Sequence, residues 1–398
     1  MESLAVLLRA LAARAPLLAA DPGHTGALRL LAGHLEGWPQ LTLDVYGRTL
    51  LVNDHRDPEG SGPEPTLVPN SGATPRERME AVLYEMRRVV VGQDRLLDRV
   101  LVALLSRGHV LLEGVPGLAK TLTLETVARV CGGQFSRIQF TPDLVPSDVV
   151  GGQVLDREGR FDTRLGPVFA NFVLADEINR APAKVQSALL EVMAEGHATI
   201  AGQSHPVPRP FFVLATQNPI ESEGVYPLPE AQVDRFAMKL IVGYPSMADE
   251  EEIVRRMASD PPQPRRLLDP EQIRELQESA DTVFVDHRVR AYAVRLVNAT
   301  RNPASEGLQN LEPYLDMGGS PRASLALIRG GRALAVIRGR TYVLPEDVHS
   351  LFHDVLRHRI VLSYEALAAD VRPDQVLDAI VDAIPQPDVE LGSGRSVG

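Results

Sequence analysis

Three short apolar runs, residues 110–112, 172–175 and 211–215, punctuate the middle of the chain. None alternates with polar residues, which is the pattern of strands in a parallel sheet covered on both faces. A further strand is expected near Ile138. Residues 184–195 carry helical periodicity between the second and third runs. A proline-rich break at 259–264 ends this alternation. Beyond it, residues 266 to about 384 read as helix throughout, with starts near Asp269 and Leu344, each followed by a proline. The order predicts an α/β core with a parallel sheet covered by helices, followed by an all-α domain.

The first 56 residues read as a small separate α+β module. Two helical patterns divided by residues 21–23 come first. A hairpin is expected next, with period-two alternation over 40–46, a turn at Gly47 and Arg48, and a return strand over 49–52. Residues 57–75 are rich in proline, glycine and polar residues and read as a linker. The expected organisation is therefore a module (1–56), a linker, a core (76–258), a short linker (259–265), a helical domain (266–384) and a flexible tail (385–398). A length of 398 residues fits more than one core.

Composition narrows the classes. Apolar content of 44% and charged content of 23% are those of a soluble globular protein. One cysteine, Cys131, rules out an intrachain disulfide and a cysteine zinc site, reads as a buried thiol, and fits a cytoplasmic setting. The leucine- and alanine-rich start could pass for a signal peptide, but Glu2, Arg9 and Arg14 interrupt it. No run approaches the roughly 18 apolar residues that span a membrane. A net charge of −11 argues against a general nucleic-acid binder.

Chemistry enters at residues 109–121, His-Val-Leu-Leu-Glu-Gly-Val-Pro-Gly-Leu-Ala-Lys-Thr. A buried strand, a glycine-rich loop and a helix start in that order form a phosphate-binding loop. Gly114 and Gly117 allow the backbone to turn its N–H groups toward phosphates. Val115, Pro116, Leu118, Ala119 and Leu122 complete the nucleotide-contacting stretch. Lys120 can reach the β- and γ-phosphates of ATP, and the Thr121 hydroxyl can ligate Mg²⁺. Ala119 stands where the usual pattern has its second glycine. Only three of the 41 basic residues are lysine, and one stands here, where a compact point charge serves better than a planar fork.

The run 172–175 ends in Asp176 and Glu177. Two carboxylates at a strand end lie at the edge of the sheet where ligands bind in open α/β folds. Asp176 would hold the metal and Glu177 would deprotonate the attacking water. The third run ends near Asn218, whose amide can position water and sense the γ-phosphate.

Taken together, residues 90–93, 114–121, 166–181, 215–220, 226–236 and 319–323 resemble the MoxR branch of the AAA+ ATPases, in the family's order. The resemblance covers residues 76 to about 384 and leaves the first 75 uncovered. It implies an AAA+ phosphate-loop core with a helical lid, and ATP held between them. It also implies that Val91 and Gly92 line the adenine pocket, that Arg235 is an arginine finger acting on a neighbouring subunit's ATP, and that Arg322 is a second sensor on the lid. Arg180 is a rival for the finger. The implied assembly is a homo-oligomeric ring, a hexamer, acting on a protein client. The family's partners include proteins with von Willebrand factor A domains, and its work includes metal-cofactor insertion. A nucleic-acid motor and the motor subunit of a metal chelatase are the alternatives.

Two hairpin-like inserts, residues 150–161 and 197–204, could grip a client or pack between subunits. His349 and His353 stand four apart on an expected helix, with His358 nearby, and are read as lid packing rather than as a metal clasp.

Overall fold

The computed structural model describes residues 72–388, apart from Pro116 and residues 156–159, 220–224 and 259–260, together with the backbone of three strands nearer the N-terminus. The chain divides into two units, residues 1–71 and 72–398.

In the first unit, β1 (Ala27–Ala32), β2 (Leu41–Tyr46) and β3 (Thr49–Asp54) form an antiparallel sheet in that order. The expected hairpin is present, with Tyr46 opposite Thr49. The second helical pattern is corrected: residues 27–32 form a strand against β2. An open hairpin edge supplies ladder partners that override a modest helical preference. The first helical pattern and most of the expected linker lie outside the described residues.

The second unit opens with α1 (Pro75–Val89) and α2 (Asp94–Leu105), then β4 (Val110–Gly114), α3 (Lys120–Val130) and β5 (Phe135–Gln139). Short α4 (Pro146–Val150) leads into a hairpin of β6 (Gly151–Leu155) and β7 (Phe161–Leu165). There follow β8 (Phe172–Asp176), α5 (Ala183–Glu195), a second hairpin of β9 (His197–Ile200) and β10 (Gln203–Pro206), and β11 (Phe212–Gln217). Next come α6 (Glu230–Val233), β12 (Met238–Val242) and α7 (Met247–Met257). Strands β12, β4, β11, β8 and β5 form one parallel sheet in that order. Its centre is dry: Phe172–Ala175 and Phe212–Ala215 are fully buried, as their unbroken apolar runs required. Strand β12 had no counterpart in the sequence reading, because Lys239 interrupts it; the structure pairs that lysine with Glu113 on β4 at 2.6 Å.

The helical half holds α8 (Pro270–Thr282), α9 (His287–Ala299), β13 (Leu315–Met317), α10 (Pro321–Ile337), α11 (Pro345–Leu356), β14 (Val361–Leu362), α12 (Tyr364–Ala368) and α13 (Pro373–Ala383). Asp269 starts α8 with a capping box closed by Gln272. This half is not helix alone: β13 and β14 pair antiparallel. It is tied to the core by a buried carboxylate. Asp354 receives Arg99 at 2.8 Å and Arg95 at 2.9 Å, both from α2. Gln277 on α8 donates to the Leu104 carbonyl at 2.7 Å.

Candidate active site

The parallel sheet brings the ends of β4, β8 and β11 to one edge. At β4 the chain has no room for a side chain on Gly114, where a Cβ would lie 2.8 Å from the Val242 carbonyl oxygen. Gly117 takes φ +85°. Ala119, the N-cap of α3, takes φ 55° in the left-handed region that glycine would occupy without strain. Lys120 folds its ammonium back onto the Gly114 carbonyl. Burial lowers the Lys120 pKa from its ordinary value, opposed by the negative charges of Asp176, Glu177 and Glu113. Pro116 lies outside the described residues.

Strand β8 delivers Asp176 beside this loop. Its Oδ1 accepts from Thr216 at 2.7 Å, and its Oδ2 receives Arg137 at 2.6 Å. Glu177 follows with φ 56°, a strained conformation of the kind that collects at functional sites. Its N–H donates to Thr216 at 2.9 Å, Gln139 donates to its carboxylate at 2.9 Å, and Arg180 stands 3.2 Å from it. Asn218 is buried just past β11, which lies between β4 and β8. Sequence reasoning missed Arg137, Gln139 and Thr216. The available signal was the polar alternation of Arg137 and Gln139 around Ile138 on an edge strand.

A cavity of about 260 Å³ adjoins the loop, lined by Val90, Val91, Leu118, Leu122, Ile253 and Met257 among others. Its apolar walls suit a purine ring. Gly92 is not in the wall but turns under α7 with φ +72°, where a Cβ would meet Asp249 at 2.8 Å. The cavity is roofed by α7, and its lining ends at Met257, so the part of the site described by this cavity is built from the core alone. Helix α7 follows β12 directly and so reaches the loop before the helical half begins.

Arg235 and Arg322 are not brought to this edge. Parallel pairing sets Met238 beside Val110, so Arg235 precedes β12 at the opposite edge of the sheet, the five-residue length of β4 away, about 16 Å. Asp234 accepts from Ser320 at 2.9 Å and lies 3.7 Å from Arg322. Arg359, also missed from sequence, is buried and pairs with Asp234 at 2.7 Å while donating to the Phe236 carbonyl at 2.6 Å. The segment preceding β12 is thus stitched to the helical half. Arg235 itself makes no ion pair among the described residues.

No group of three or more histidine, cysteine or acidic residues among the described residues could hold a metal. His353 bonds Asp378 at 2.9 Å and His358 bonds the Phe236 carbonyl at 3.1 Å. The donors near the phosphate loop, a threonine hydroxyl and the Asp176 carboxylate, are hard oxygens of the kind Mg²⁺ takes. At the tip of the β6–β7 hairpin, Phe161 is 72% exposed.

Residues 109–238 match the family described as ATPases associated with various cellular activities, and residues 309–380 match the AAA lid domain. The chain is 56% identical over 323 residues to chaperone MoxR1 of Mycobacterium tuberculosis, covering 80% of this chain and 85% of the relative. It is 30% identical to the protein MoxR of Methylorubrum extorquens, over 76% of this chain and 93% of the relative. A crystal structure of a Cytophaga hutchinsonii protein assigned as an ATPase superposes with a TM-score of 0.75 at 44% identity, covering 79% of this chain and 96% of that one. Identity of this extent, spanning most of both chains, places the protein in the MoxR family of AAA+ ATPases.

Proposed function

We propose that the protein hydrolyses ATP as a ring of identical subunits and uses the resulting motion to remodel a protein client in the cytoplasm. The reading rests on one observation: the phosphate loop, Asp176, Glu177 and Asn218 share one sheet edge, while Arg235 and Arg322 stand at the other. Within one subunit these arginines do not meet the loop. In a head-to-tail ring, one subunit's edge faces its neighbour's opposite edge.

In this reading, the Lys120 ammonium and the loop N–H groups bind the β- and γ-phosphates. Glu177 orients and deprotonates the attacking water, and Asn218 positions it. Gln139 and Arg180 hold the Glu177 carboxylate in place when no water is engaged. Thr121 and Asp176 would hold Mg²⁺, which when bound neutralises phosphate charge. Arg235 of the neighbouring subunit stabilises the charge developing on the γ-phosphate, worth about 10³-fold or more. The relatives named MoxR, one of them called a chaperone, support a protein client. Stimulation by a von Willebrand factor A domain partner would extend the reading.

The test is ATP turnover against protein concentration, with particle mass read on the same samples. Specific activity should rise as rings assemble. Constant turnover in a monomer would overturn the ring.

A further inference from the structure

A second cavity, of about 280 Å³, lies at the other end of α2 from the nucleotide pocket. Gln93, the N-cap of α2, lines the first cavity, and Leu105, Ser106 and Arg107, at its C-terminal end, line the second. The twelve residues of α2 separate them by about 18 Å. The remaining polar walls come from the helical half: Asp281 of α8, and Arg329 and Arg332 of α10. Arg329 and Arg332 stand three apart, on one face of their helix.

The charge of this cavity is unbalanced. Three guanidinium groups meet one carboxylate, in a chain whose net charge is −11. Arg107 and Asp281 pair with each other at 2.6 Å across the mouth. Among the described residues, Arg329 and Arg332 have no ion-pair partner, and the Nε of Arg332 is buried without a hydrogen-bond acceptor. A buried donor on a charged group is costly to leave unmade. The missing component is an acceptor with negative charge, and two guanidinium forks match the oxygens of a phosphate. Ser106 and Asp281 add polar groups suited to hydroxyls. The volume fits a sugar-sized body rather than a bare ion.

The geometry points to a binding site for a small phosphomonoester, of ribose phosphate size, held at the joint between α2 and the helical half. Its phosphate sits on Arg329 and Arg332, and its hydroxyls face Ser106 and Asp281. Such a ligand clamps the helical half to the core from the side away from ATP. This site is independent of the ring reading above.

The test uses the full chain carrying Lys120→Ala, so that the phosphate loop does not answer. Thermal unfolding and calorimetric titration are followed with ribose 5-phosphate, inorganic phosphate and ribose. Ribose 5-phosphate should bind saturably and raise the melting temperature, inorganic phosphate should bind at least several-fold more weakly, and ribose should do nothing. Adding Arg332→Gln should weaken ribose 5-phosphate binding tenfold or more. Arg329→Glu, at an exposed position that leaves packing intact, should do the same. No saturable binding, or undiminished binding by the folded Arg329→Glu chain, overturns the site. Equal affinity for inorganic phosphate overturns the sugar-sized assignment.

Discussion

At the scale of single residues, the phosphate loop is set by backbone conformation as much as by charge. Ala119 holds a left-handed φ of 55°. Alanine tolerates that at about 1 kcal/mol, but a β-branched side chain does not. Ala119→Val should therefore reduce nucleotide affinity by tenfold or more while the fold persists, read by fluorescent nucleotide titration and circular dichroism. Glu177 is held by Gln139 and Arg180, so Glu177→Gln should retain ATP binding and lose at least 100-fold in turnover. Gln139→Ala frees the carboxylate and should change turnover with little effect on nucleotide affinity. His109 is a structural residue with a pH signature. It is buried, accepts from the Val213 N–H at 3.1 Å and contacts the Met193 carbonyl at 3.2 Å. Burial pulls its pKa from 6.5 to about 4. The folded state thus resists protonation that the unfolded chain accepts. Stability is whole above pH 6.5 and is lost as pH falls toward 4, by roughly 3 kcal/mol from this residue. Denaturant unfolding across that range checks it; His109→Asn should flatten the slope.

At the scale of elements, the runs 172–175 and 211–215 were legible because central parallel strands are buried on both faces and have no room for polar residues. Asp176 and Glu177 were legible for the same reason: they are where such a run stops. Strand β12 was not, since Lys239 looks like a surface residue until Glu113 lies beside it. Residues 27–32 were misread because pairing with a distant hairpin, not local periodicity, decides them. Arg359 was beyond reach of the sequence. Its partner Asp234 is 125 residues away, and nothing distinguishes it from its neighbour Arg357. That pair makes a prediction. Asp234→Ala leaves the guanidinium of Arg359 buried without its carboxylate, which should cost about 3 kcal/mol in stability. Because Arg235 is the next residue, turnover should fall further than the stability loss alone accounts for, with nucleotide affinity unchanged. Equal stability and turnover in Asp234→Ala would show that the stitch between β12 and the helical half does nothing for the finger.

At the scale of the whole molecule, the sheet divides the chemistry between two edges. In the proposed reading, binding and water activation belong to the edge where β4, β8 and β11 end, and charge stabilisation to the segment before β12. On that reading, the site is completed only when a second copy supplies the other edge. The most direct test mixes two subunits, one with Lys120→Ala and one with Arg235→Ala, and measures ATP turnover after co-assembly is verified by mass. Each variant alone should be near background. Random mixing at equal amounts pairs an intact loop with an intact finger at about a quarter of interfaces, so turnover should recover toward that fraction of the unmodified protein. A mixture that co-assembles and stays at background contradicts the trans-acting role of Arg235.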